Sequence, residues 1–275
     1  MVRFDGYTAT TRAANHLQLL HLFGPAVQVE EKPGYHQFGE RLVIKDESGD
    51  HIGAVLWGGN HGDRTMIEVK GERSPEVVER LRSAFPHRCT RMDSAADFDA
   101  PGAFDRLLGI CTDVKKRHRL KGRKEGDWDD FPELGRTLYI GSPKSTCMLR
   151  LYEKGKQVEY QHLNLKDWCR AENQVRPAKE AKEAFSQVSA LDAWGASGWS
   201  RELAGQILAD HVDPHPAGAV WKRSERDQAL MWACRQYGAH LLSLKQDLGT
   251  WEAVGLTLNE MIQEGIREAR RFRGH

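Results

Sequence analysis

The sequence lacks the marks of a membrane protein, of a disulfide-stabilised protein and of a P-loop ATPase. It has no run of about 18 apolar residues that would cross a bilayer, and its first residues, MVRFDGYTATTR, hold no apolar signal-peptide core. Its five cysteines form no CxxC pair, which argues against a zinc ribbon or a disulfide scaffold. A GxxxxGKS or GxxxxGKT motif is also missing. We therefore expect a cytoplasmic protein that has no membrane partner.

The charge of the chain is balanced overall but unevenly distributed. The 275 residues include 40 basic and 39 acidic ones, and the hydrophobic share of 40% is typical of a globular protein. A basic block, KKRHRLKGRK, occupies 115–124, and the acidic stretch EGDWDDFPE follows it. Such a block can hold phosphates even when the total charge is near zero. A solvated helix end with a flexible loop explains the same pattern equally well.

The order of apolar, charged and turn-forming residues predicts an α+β fold. Turn sequences separate three strand-like segments, and apolar residues at helical spacing mark two helices. These strands are predicted at 40–46, 51–59 and 64–71, and the helices at 74–85 and 100–119. We expect an antiparallel sheet with helices on one face, in a catalytic domain covering 1–177. Residues 178–275 have a helical pattern, either packed on that domain or forming a small separate one.

Three later segments each place charged residues on one face of a predicted strand. The segments are 90–98, 147–154 and 168–174, and strict alternation puts small or apolar residues on their opposite faces. One face of the sheet would then collect Asp93, Asp97, Glu172, Tyr152, Arg91, Arg150 and Arg170. Two interpretations remain open at this point. The set is either an exposed sheet face laced with ion pairs or a site for phosphoryl transfer.

The phosphoryl-transfer interpretation assigns a role to each type of side chain. Carboxylate oxygens suit Mg²⁺ or Mn²⁺, and arginines stabilise the charge that develops on a phosphate. A tyrosine has a pKa near 10 in water, so it needs nearby cations or a metal to act as a phenolate. Arg150 and Lys154 flank Tyr152 on its predicted face. As chemistry, the set suits covalent attack on a DNA phosphate.

The same residues resemble the motifs of a known family. TRMDSAADF (90–98), TLYIGSPKSTCMLRLYEKGKQ (137–157) and WCRAENQVR (168–176) are similar, in order and spacing, to three motifs of the Rep_trans-type rolling-circle replication initiators. These proteins occur in small plasmids, filamentous phages and related conjugative elements. The resemblance covers roughly 50–255.

The resemblance implies an enzyme that nicks and rejoins one DNA strand at a specific origin, on a fold related to the HUH endonucleases. Tyr152 matches the position of the nucleophile, which would form a 5′-phosphotyrosyl link and free a 3′-OH. Arg150, Lys154 and Arg170 would complete the catalytic set, and Asp93, Glu172 and Asp97 would hold Mg²⁺ or Mn²⁺. We assign DNA contacts to Arg91, Lys144, Lys115, Lys116, Arg117 and Arg119. Lys144 lies in a polar turn that either contacts a phosphate or only shapes a hairpin.

Two departures from the family pattern bear on the metal site. The 12 histidines include no His-x-His pair, so carboxylates would have to carry the metal. Asn173 and Gln174 stand where the family usually continues an apolar pattern.

The resemblance also implies partners. These are origin DNA, a host helicase and polymerase, and a second copy of the chain, because termination needs a second nucleophile. Three alternatives stay open: a relaxase that nicks a conjugative transfer origin, a non-catalytic DNA-binding regulator on the same fold, and a scaffold with a charged sheet face.

Overall fold

The computed structural model describes residues 2–131, 134–208, 212–218 and 225–272. By its internal contacts the chain forms two compact units, Met1–Val220 and Trp221–His275. In the second unit, two long helices contact each other, α6 (Glu225–Leu248) and α7 (Trp251–Phe272). None of the helices in the described ranges is long and apolar enough to cross a membrane.

A ten-stranded sheet organises the first unit, and every pair of neighbouring strands is antiparallel. The strands are β1 (Val2–Thr11), β2 (Gln28–Pro33), β3 (Glu40–Lys45), β4 (His51–Trp57), β5 (Thr65–Lys70), β6 (Arg88–Asp99), β7 (Gly122–Glu125), β8 (Thr137–Ile140), β9 (Cys147–Tyr152) and β10 (Trp168–Val175). Their order across the sheet is β2-β3-β4-β5-β1-β6-β10-β9-β8-β7. The predicted meander is therefore present as β3, β4 and β5.

The first strand lies at the centre of the sheet, between β5 and β6. The sequence analysis assigned no element to this stretch. Its pairing with β6 shifts register between Phe4 and Gly6, so Phe4 and Tyr7 both face the core although they are three residues apart. This bulge breaks the two-residue alternation that marks a strand.

Five helices of the first unit lie on one face of the sheet. They are α1 (His16–His21), α2 (Ser74–Ala84), α3 (Ala103–Arg117), α4 (Ala181–Ala184) and α5 (Gly198–Ile207). Of these, α2, α3 and α5 bury an apolar stripe against the sheet. Leu81 of α2 is buried against the β1 side of the sheet, and Leu107 of α3 is buried with Leu149 and Leu151 of β9. The predicted fold class, an antiparallel sheet with helices on one face and a C-terminal helical region, is confirmed.

The segment that follows β10 packs onto the sheet rather than leaving it. Phe185, Trp194 and Leu203 are fully buried in the two main core clusters, and the Trp194 indole donates a hydrogen bond to Ser94 Oγ at 2.9 Å. The division between the compact units falls after Val220, later than the boundary expected at 177. The helical residues after 178 therefore belong partly to the first unit.

Candidate active site

The register of three adjacent strands aligns the predicted site residues in rows on the face away from the helices. Asp97, Arg170 and Tyr152 form one row across β6, β10 and β9. The next row holds Glu172 and Arg150, and the third pairs Asp93 with Gln174. Directly opposite residues on one face have their Cβ atoms about 5 Å apart and diagonal neighbours about 7–8 Å apart, so long side chains within a row and in adjacent rows can interact. The structure thus brings the predicted nucleophile, acids and arginines onto one surface.

Tyr152 is the last residue of β9 and is 5% exposed. Burial raises the pKa of its phenol above the ordinary value, and the charge of Glu172 adds to this effect. Arg150 and then Arg170 act in the opposite direction. The Arg150 guanidinium lies over the Tyr152 ring, with its carbon 4.4 Å from the ring centroid. The phenol is therefore held protonated, with the Arg150 guanidinium over its ring and Arg170 opposite it on β10.

Arg170 joins two carboxylates on the same face of the sheet. It is 1% exposed, and it donates to both oxygens of Asp97 at 2.7 Å and to Asp5 Oδ1 at 2.6 Å. The Trp168 indole donates to Asp97 Oδ1 at 2.9 Å. Burial acts to raise the pKa of Asp97, but the hydrogen bond and charge of Arg170 outweigh it and the pKa lies below its usual value. Asp97 is thus fully engaged in orienting Arg170.

Glu172 and Asp93 are each held by one arginine. Arg150 Nη2 lies 2.7 Å from Glu172 Oε2, and Arg91 donates from Nε to Asp93 Oδ1 at 2.9 Å. Burial raises the pKa of Glu172 above its usual value, and the nearby charge of Asp93 adds to the rise. The two carboxylates therefore repel each other across adjacent rows, which is the situation that a shared cation relieves.

Gly6 leaves the space that Asp93 fills. It pairs with Asp93 across β1 and β6, and a Cβ on Gly6 would lie 2.8 Å from Asp93 Oδ2. Any larger residue would push the carboxylate out of this position.

A cavity of about 360 Å³ opens beside these rows. Its polar lining includes Asp5, Glu68, Arg91, Asp93, Tyr139, Arg150, Glu172 and Gln174. Within the described residues no three His, Cys, Asp or Glu side chains converge as a ready metal-binding group. Asp93 and Glu172 are the two predicted ligands that line the cavity, whereas Asp97 does not. Two carboxylates on one cavity wall fit a hard divalent cation, and Asp97 serves Arg170 instead.

Lys154 occupies a different position from the one that strand alternation predicts. Because β9 ends at Tyr152, Lys154 begins a short 3₁₀ turn, and its ammonium lies 4.6 Å from the Tyr160 ring centroid and 4.9 Å from that of Trp168. Burial and then the charge of Arg170 lower the pKa of Lys154 to about 8, with Asp5 and Asp97 opposing. Lys154 therefore belongs to the Arg170 cluster.

Tyr139 is a second tyrosine near the site. It lies on β8 directly opposite Arg150, and it lines the cavity. The Arg123 guanidinium covers its ring at 4.0 Å from the centroid. Tyr139 is therefore the second tyrosine whose variant has to be compared with that of Tyr152.

The residues assigned to DNA contact do not form one surface. Arg91 lines the cavity, and Lys144 is exposed in the turn between β8 and β9. The others lie at the end of α3 or just after it, on the helix-covered side of the sheet: Lys115, Lys116, Arg117 and Arg119. Arg117 pairs with Glu202 of α5.

Sequence reasoning missed several residues that complete the site. Asp5 and Gly6 lie on the strand whose bulge hides it from pattern analysis, and Glu68 lies on β5 beside it. Trp168 stands within the third motif but received no role. For Gln174 the sequence carries one signal, a polar residue at a position where the family usually has an apolar one.

The antiparallel sheet with helices on one face agrees with the fold expected for a replication initiation factor. Residues 88–246, more than half of the chain, match the Rep_trans family, described as replication initiation factor. The chain belongs to this family.

A solved structure has the same architecture. It is described as the structure of a rolling circle replication initiator protein from Geobacillus stearothermophilus, and it is 18% identical in sequence. The match covers 76% of this chain and 85% of that chain, with a TM-score of 0.50. No curated protein matches the sequence.

Proposed function

We propose that this protein starts rolling-circle replication by nicking one strand of origin DNA through a covalent bond to Tyr152. The observation that carries the proposal is the position of Tyr152, two residues after Arg150 on β9 and directly opposite Arg170 on β10. Family membership supports a role in replication initiation, and this arrangement supports the chemistry.

In the proposed reaction the Tyr152 oxygen attacks the scissile phosphorus and the P–O3′ bond breaks. The phenol proton passes to solvent, and the departing 3′ oxygen takes up a proton. One phosphodiester bond is exchanged for another, so the reverse reaction rejoins the strand without an added energy source. Arg150 and Arg170 supply positive charge to the phosphate as negative charge develops on its oxygens.

The carboxylates of Asp93 and Glu172 would hold a divalent cation, Mg²⁺ or Mn²⁺. When bound, the cation would polarise the phosphodiester. Arg91 and Arg150 are then available to the DNA backbone, and Asp97 with Asp5 keeps the Arg170 guanidinium in place. Because burial raises the pKa of Tyr152, the nucleophile would need the cation or the bound substrate to become a phenolate.

The test is to incubate the full-length protein with supercoiled DNA that carries its origin, with and without Mn²⁺. We expect a protein–DNA adduct that survives SDS, and its loss in Tyr152→Phe but not in Tyr139→Phe. Asp93→Asn and Glu172→Gln should lower the adduct yield at limiting Mn²⁺. An undiminished yield in Tyr152→Phe would refute the role of this residue, and DNA binding without any nick would favour a non-catalytic regulator.

A further inference from the structure

We infer that the side-chain oxygen of Gln174 is a third protein ligand, with Asp93 and Glu172, for the divalent cation of the proposed function. Gln174 lies on β10 directly opposite Asp93 of β6 and two residues after Glu172, on the same face. Its side chain is 6% exposed and lines the same cavity as the two carboxylates. The three side chains therefore form a triangle of neighbours on the sheet surface.

One hydrogen bond determines the orientation of the Gln174 amide. Its Nε2 donates to Asp93 Oδ1 at 3.0 Å. The reversed amide would place two acceptor oxygens against each other, so the hydrogen-bond pattern fixes which end faces Asp93. The carboxamide oxygen, Oε1, points away from this contact.

The Gln174 oxygen has no hydrogen-bond partner although it is buried, as judged within the described part of the chain. The residue opposite on β9 is Met148, whose thioether has no hydrogen to donate. A buried acceptor without a partner costs about 1–3 kcal/mol. A cation held between Gln174, Asp93 and Glu172 would satisfy it.

The chemistry of the three groups fits a hard divalent ion. Mg²⁺ and Mn²⁺ prefer oxygen ligands, and protein sites for such ions combine carboxylates with neutral carbonyl oxygens. Gln174 supplies such an oxygen beside the two charged ligands. It also supplies the third donor that the acidic residues alone do not provide.

The arginines that now pair with the two acids make this site responsive to the cation. Arg91 and Arg150 hold Asp93 and Glu172, and their side chains are 43% and 35% exposed. A divalent ion on the carboxylates competes with these guanidinium groups. Released from the acids, both arginines can contact DNA phosphates at the same cavity.

The test is a titration of the full-length protein with Mn²⁺ in the absence of DNA, following free Mn²⁺ by electron paramagnetic resonance. We expect Gln174→Leu to weaken binding by roughly tenfold or more, the scale on which removal of a supporting group lowers metal affinity. Gln174→Glu keeps an oxygen at the position and should bind at least as tightly as the natural protein. Met148→Leu, which changes the opposite residue at similar volume, should leave the affinity unchanged. Circular dichroism checks that each variant is folded.

Two results would overturn the inference while leaving the metal site intact. In the first, Asp93→Asn abolishes Mn²⁺ binding but Gln174→Leu binds as the natural protein does. In the second, Gln174→Glu is as weak as Gln174→Leu, which would mean that Gln174 acts only as a donor to Asp93. A natural protein that binds no Mn²⁺ would instead refute the metal in the proposed function, and the inference with it.

Discussion

Replacing Arg170 by methionine should destabilise the first unit more than any change to an exposed arginine. The variant removes the hydrogen bonds to both oxygens of Asp97 and the bond to Asp5. Removing one partner of a fully buried ion pair costs about 3–5 kcal/mol. Because the Asp97 and Asp5 side chains retain 27% and 19% exposure, water recovers part of the loss, and we expect about 2–4 kcal/mol.

The assay is urea unfolding of the full-length protein, followed by tryptophan fluorescence at pH 7. Arg12→Met is the matched control, because Arg12 and Asp63 form an ion pair whose side chains are 65% and 70% exposed. Such a pair contributes at most about 1 kcal/mol. Equal losses in Arg170→Met and Arg12→Met would refute the structural role given to Arg170.

The same prediction can be tested by measuring how the free energy of unfolding depends on pH. In the natural protein the pKa of Asp97 lies below its usual value, so the stability that Asp97 contributes is present at neutral pH and is lost as pH falls. In Arg170→Met, burial raises the pKa of Asp97, and the weaker effects of Trp168 and Lys154 oppose this rise. Protonation of Asp97 at low pH then removes a buried and poorly paired charge. The difference in free energy of unfolding between the natural protein and Arg170→Met should therefore become smaller below about pH 4. A gap that widens on acidification would contradict the reasoning.

Three further predictions follow from particular contacts. Lys154, whose pKa burial lowers to about 8, should lose its charge between pH 7 and 9, so the free energy of unfolding of the natural protein should rise above about pH 8 relative to that of Lys154→Met. Gly6→Ala should displace Asp93 and destabilise the protein by about 1–3 kcal/mol in urea unfolding, since its Cβ would lie 2.8 Å from Asp93 Oδ2. A chain ending at residue 220 should unfold cooperatively, whereas one ending at 177 should not, because it lacks the buried Trp194.

Alternation along three strands was sufficient to predict which polar residues share a face. It places Asp93, Glu172 and Tyr152 correctly because β6, β10 and β9 are regular where they pair. It could not predict β1, whose bulge interrupts the pattern between Phe4 and Gly6. Alternation also predicted the wrong position for Lys154, because β9 ends at Tyr152 and side chains no longer alternate between faces beyond it.

The sequence pattern did not predict which side chains pair with each other. Nothing in the pattern distinguishes Arg170, buried between Asp97 and Asp5, from Arg150, which covers the Tyr152 ring. The register between strands decides which acid pairs with a buried arginine and which acid lines the cavity. Register is set by long-range contacts, which the pattern of a single strand does not show. The charged face carries the ion pairs that one interpretation expects, and its use for phosphoryl transfer stays a prediction.

The most direct test of the central claim is to identify the residue that carries the DNA. The adduct formed on origin DNA is digested with nuclease and protease, and the modified peptide is sequenced by mass spectrometry. The account predicts a phosphodiester-linked nucleotide on Tyr152. A nucleotide on Tyr139, or on any residue other than Tyr152, would contradict it.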